Sequence, residues 1–134
     1  MSRNLLNRIF GAYLVALAVV IAIQFTVELT YESAQITSIQ VWFVLDWFSL
    51  VGFVICVAGN FLYMRSSNDG DSITWDKLAS SIAFYISVGL TMAFLHNFVG
   101  SLVGGKDDML FWKFINVVQI PLFAATGFRL SSKK

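Results

Sequence analysis

Unbroken apolar sequence is the feature that most restricts this chain. Residues 13–23 read Tyr-Leu-Val-Ala-Leu-Ala-Val-Val-Ile-Ala-Ile. A helix needs about 20 mostly apolar residues to cross the hydrocarbon core of a bilayer. Stretches of that length run from Ile9 to Leu29, Val41 to Met64, Leu78 to Val103 and Met109 to Leu130. Lipid-spanning β-strands alternate apolar and polar residues over about ten positions, and residues 13–23 do not alternate. The expectation is an all-α integral membrane protein, four transmembrane helices in an antiparallel up-down bundle, with residues 1–134 forming one domain. Arg3 and Arg8 precede the first run, and Ala16-Leu17-Ala18 resembles a cleavage site. The run continues through Ile23, longer than the core of a signal peptide, so a retained helix is expected.

Composition agrees. The chain is 57% hydrophobic and 13% charged, against about 25% charged in a soluble domain. A soluble chain this small leaves too much surface exposed to hide that much apolar area. A water-soluble enzyme and a disordered chain are excluded. A net charge of +1 supplies no field for polyanions, which excludes nucleic acid as a partner. The single cysteine, Cys56, excludes an intrachain disulfide and a cysteine cluster for metal. Its place in the apolar middle of the second span reads as inert packing.

Lys and Arg in the flanks set orientation. Arg3, Arg8, Arg65, Lys77, Arg129, Lys133 and Lys134 fall on one side of four crossings, and Lys106 and Lys113 on the other. Both termini are therefore expected in the cytoplasm (N-in, C-in), in a bacterial inner membrane if the source is bacterial. The outer side carries Glu28, Glu32, Asp107 and Asp108, with Tyr31, Trp42, Phe111 and Trp112 as its aromatic belt; Tyr13, Tyr63 and Trp75 mark the inner boundary. Residues 104–108 predict a tight turn between the last two helices. Ser72 or Thr74 is expected to cap the third helix, with Asp76 in its first turn.

Small residues let helices approach closely in lipid. The second span carries Ser49, Gly52, Cys56 and Gly59; the first offers Gly11, Ala18 and Ala22. The third carries Gly89, Ala93, His96, Gly100 and Gly104, which fall within roughly 80° of one another at helical spacing. These stripes are read as packing faces inside the bundle, and His96 is accordingly expected to face protein rather than lipid.

Ionisable and amide groups inside a span are candidate functional residues. Asp46, His96, Asn97, Lys113 and Asn116 lie in one layer, roughly 6–11 Å below the outer boundary at about 1.5 Å rise per residue. One reading is structural: Asp46 pairs with Lys113, directly or through Asn97, Asn116 or a water, while Lys113 can also snorkel to the interface and His96 sits in the core. The other is a polar pocket open to the outer side that binds a proton, a cation or a small polar ligand. Met92 and His96 share a helix face at i, i+4, a ligand pair of a type that suits copper or haem; no cofactor is otherwise expected. Glu28 and Glu32 stand at the C-terminal end of a helix, where negative charge opposes the dipole, so solvated side chains or a basic partner are expected. Pro121 frees the carbonyl of Val117 and predicts a kink, with Gln119 or Thr126 satisfying nearby backbone.

The chain holds no G-x-S-x-G, H-E-x-x-H or P-loop pattern and no extramembrane segment large enough for a domain. Residues 10–27 lack the acid that small multidrug transporters place in their first helix, and the cysteine and histidine pairs of thiol–quinone oxidoreductases and cytochrome b anchors are missing. The leading expectation is a non-catalytic accessory or structural subunit of a larger membrane complex, of respiratory or oxidase type. The alternative is a small oligomeric transporter or channel using Asp46, His96 and Lys113. The expected partners are the lipid bilayer and other membrane subunits or further copies of the chain.

Overall fold

In the computed structural model the described residues are 3–28, 30, 38–67, 74–104 and 109–132. They form four helices: α1 (Arg3–Val27), α2 (Ser38–Ser67), α3 (Trp75–Leu102) and α4 (Met109–Ser132). All four are long and apolar enough to cross a membrane. The helices extend past the apolar spans, α2 and α3 each beginning three residues earlier than expected, because polar residues at the interface continue the backbone hydrogen-bond ladder. Thr74 caps α3, its hydroxyl accepting from the Lys77 amide at 3.3 Å, with Asp76 in the first turn. At the other end of α3, Gly104 takes φ +69°, the left-handed conformation that glycine adopts without a Cβ penalty. The rest of the expected turn (residues 105–108), Ser72 and Glu32 lie outside the described residues.

Helices α1 and α4 share the most extensive contact, followed by α2 and α3; among the described residues the backbones of α1 and α3 do not come close. The α1–α4 contact is a meeting of backbones. A Cβ on Gly127 would lie 2.7 Å from the Gly11 carbonyl oxygen and 2.8 Å from Val15 Cγ2; one on Gly11 would lie 2.6 Å from the Gly127 carbonyl oxygen. Only glycine at both positions permits that approach. The α2 stripe also packs as expected: Ser49, Gly52, Cys56 and Gly59 are all buried, and a Cβ on Gly52 would meet Phe123 and Leu17 at about 3 Å.

Of the α3 stripe, Ala93 packs against the core, while the glycines and His96 do not pack inside the bundle. Nothing lies within 4 Å of a Cβ built on Gly89, Gly100 or Gly104, and His96 and Gly89 are exposed. The inward face of α3 is instead Ser80, Ser87, Leu90, Phe94, Asn97 and Phe98. The reason is volume. Phe53 of α2 and Phe123 of α4 sit 5.0 Å apart between ring centroids, and Phe53 and Phe94 sit 4.9 Å apart. The three rings turn the aromatic face of α3 inward, which leaves its glycines on the opposite face, and such ring pairs contribute about 0.5–1.5 kcal/mol beyond their burial. Phe94 also stacks on Phe98 and meets Trp112 edge-on.

Hydroxyls on these helices turn back to their own carbonyls: Ser87 to Phe84 at 2.7 Å and Thr91 to Ser87 at 2.6 Å. This satisfies them without water, as a bilayer requires. Helix α4 runs unbroken through Pro121, which is exposed. The polar neighbours expected to serve its backbone are engaged elsewhere: Gln119 donates to Asn116 Oδ1 at 2.8 Å, and Thr126 accepts from Asn60 Nδ2 at 3.2 Å.

Candidate functional site

Polar side chains gather at both ends of the bundle, with the Phe53–Phe94–Phe123 cluster between them. At one end the C-terminus of α1 and the starts of α2 and α4 surround a pocket of about 170 Å³, with Ser101 contributing from the end of α3. Asp46, Lys113 and Asn116 all line it, so three residues of the expected layer share one cavity. Asp46 and Lys113 form no direct ion pair there; each faces the cavity.

Three further pocket residues were legible only as boundary markers. Glu28 is half-buried rather than solvated, and its Oε2 accepts from Trp42 Nε1 at 2.6 Å. The indole thus supplies the positive end of a dipole that the C-terminus of α1 cannot. Trp42 and Trp112 stand on the pocket wall rather than serving only as an interfacial belt. The i, i+4 spacing of Trp42 and Asp46 was the available signal, since it puts both on one face of α2.

Asn116 is 6% exposed. Its Oδ1 is taken by Gln119, so its amide nitrogen is the group left for the cavity. Asn97 is buried on the inward face of α3 and does not line the pocket. His96, expected to face the bundle, is exposed on the outer surface of α3 together with Met92; the register that buries Phe94 and Phe98 rotates them away. Among the described residues no three His, Cys, Asp or Glu side chains come together as a metal site.

The opposite end holds a cluster that charge counting did not reveal. Arg129 Nη2 donates to Asn60 Oδ1, Asn60 Nδ2 donates to Thr126, and the guanidinium lies 4.2 Å from the Tyr63 ring centroid. Arg129 Nε has no hydrogen-bond partner among the described residues. Buried Cys56 lies one turn from Asn60 on α2. Asn60 alone in an apolar run, with Tyr63 three residues on, was the sequence signal for this site. Asp46 and Asn60 are fourteen positions apart on α2, so the two polar ends are separated by roughly 21 Å along the helix.

No known protein family, characterised protein or solved structure matches this chain.

Proposed function

We propose that the chain is a non-catalytic subunit of a larger membrane complex, and that the outer face of α3 is where a transmembrane helix of another subunit packs. One observation carries this reading. Gly89 and Gly100 have open space where a Cβ would be, and His96 lies exposed on the same face. Small residues favour close helix approach in lipid, and a histidine inside a span is costly against acyl chains and marks protein contact. The chain's own helices use neither feature. Any metal or haem held by Met92 and His96 would take its other ligands from that partner.

The same reading includes an up-down arrangement with both termini in the cytoplasm. The contacts of Gly11 with Ser131, of Glu28 with Trp42, and of Asn60 with Thr126 support alternating directions; the Lys and Arg bias supports the orientation. A transporter or channel built from the single chain is less well supported, because the fully buried Phe53 and Phe123 stand with Phe94 between the two polar ends.

The test is mass in mild detergent after isolation from native membranes, with a Gly89→Leu/Gly100→Leu variant beside the wild type. A heteromeric complex that the variant loses, while its own melting temperature stays unchanged, is the expected result. A homo-oligomer indifferent to both substitutions would refute it.

A further inference from the structure

The pocket at the Glu28–Asp46–Lys113 end has walls of opposite character. The α1–α2 wall presents two carboxylates, Glu28 and Asp46, beside the Trp42 indole, whose orientation is fixed by its bond to Glu28. The α4 wall presents donors: the Lys113 ammonium and the Asn116 amide nitrogen, since the Asn116 oxygen is already occupied by Gln119. Opposite charges that share a small cavity without pairing leave room between them for a group that carries both signs.

Size narrows the choice. At about 170 Å³ the cavity is close to the roughly 150 Å³ hole that holds one benzene, and well below the roughly 300–1,000 Å³ of pockets for drug-sized ligands. It takes a group of about six to eight heavy atoms with the remainder outside. Aromatic faces beside carboxylates suit an alkylammonium, through cation–π attraction and charge together. An ammonium beside an amide donor suits phosphate. The surroundings favour a ligand that arrives from the bilayer, because Ile39, Phe43 and Met109 of the pocket lining are exposed apolar side chains on spanning helices.

We propose that this pocket binds a phosphate-linked ammonium zwitterion, the headgroup chemistry of ethanolamine phospholipids, with phosphate on Lys113 and Asn116 and ammonium between Asp46, Glu28 and Trp42. The site is independent of the α3 face and of whatever packs there.

Native mass spectrometry of the full chain in detergent tests it. The probes are phosphatidylethanolamine, phosphatidylcholine and phosphatidylglycerol at equal mole fraction in mixed micelles, and free phosphoethanolamine in water. The expected result is one saturably bound phosphatidylethanolamine, with phosphatidylglycerol retained at least about tenfold less, the loss expected of one charged hydrogen bond. Asp46→Asn and Lys113→Gln should each weaken retention by a similar factor while helix content by circular dichroism is unchanged. Binding of phosphoethanolamine alone as tightly as the lipid would support the same site with a water-borne ligand; binding of the lipid only would support the headgroup. Equal retention of the zwitterionic and anionic lipids by the wild type would overturn the proposal, whatever the variants do. Wild-type retention by both folded variants would overturn it as well.

Discussion

Replacing Gly127 by alanine adds one methyl group where α1 and α4 meet. An ideal Cβ there falls 2.7 Å from the Gly11 carbonyl oxygen, 2.8 Å from Val15 Cγ2 and 3.1 Å from Leu14 Cβ. Ordinary contact begins near 3.4 Å, so the shortfall against the carbonyl is 3.4 − 2.7, or about 0.7 Å. Val15 can rotate, but the Gly11 carbonyl is backbone in the middle of a helix turn and cannot. The helices must therefore separate by several tenths of an ångström along their closest stretch. Overpacking of this kind costs about 1–3 kcal/mol. At roughly 4 °C per kcal/mol for a chain of this size, the melting temperature in detergent should fall by about 4–12 °C. Gly89→Ala is the control: its Cβ meets nothing within 4 Å, and alanine is better than glycine in a helix by about 0.5–1 kcal/mol. The isolated chain carrying Gly89→Ala should melt at the wild-type temperature or slightly above. Both variants are read by the loss of helical circular dichroism on heating in one detergent. If Gly127→Ala melts no lower than Gly89→Ala, the glycine contact does not hold α1 against α4, and the account of that interface is wrong.

Phe53→Ala removes a fully buried ring that touches Phe94 and Phe123; a loss of about 3–5 kcal/mol is expected, and a thermal shift worth less than about 1.5 kcal/mol would mean that the rings do not act as one core. Asn60→Ala takes the acceptor from Arg129 Nη2 when Nε already lacks one, and should cost about 1.5–3 kcal/mol. Tyr63→Leu removes the ring under the guanidinium, a contact that should be worth about 0.5–2 kcal/mol; a reversed order in denaturation would contradict the assignment of Asn60 as the main partner. Trp42→Phe keeps an aromatic wall and deletes the bond to Glu28, for an expected loss of about 1.5–3 kcal/mol, measured against Trp47→Phe as a substitution elsewhere on α2. For orientation, single cysteines at Thr30 and Ser66, both exposed, in a Cys56→Ala background should react with an impermeant maleimide from outside and only after lysis, respectively; the opposite pattern would reverse the topology.

Much of the architecture was legible because membrane insertion is a one-dimensional problem. Each span must satisfy its own backbone hydrogen bonds and be apolar along its length, so four runs of about 20 apolar residues predict four helices without reference to one another. Asp46, Lys113 and Asn116 could be placed together by depth, because depth is counted along the chain at a fixed rise per residue. Which way a helix faces is a different quantity. It depends on rotation about the helix axis, and in lipid the apolar residues surround α3 too evenly to set that rotation. Two faces of α3 competed, the small-residue face through Gly89 and Gly100 and the aromatic face through Phe94 and Phe98. The rings of Phe53 and Phe123, on two other helices, decided for the second. The same rotation sent His96 outward. Glu28 and Trp42 met because the end of α1 and the start of α2 converge, and Arg129 joined Asn60 because α4 lies beside α2 there. The sequence alone thus determined the helices, their number and the depth of each polar group, since these follow from local hydrogen bonding and hydropathy. Facing and partnership were decided only by the tertiary structure, because they depend on side-chain volumes contributed by helices far apart in the chain.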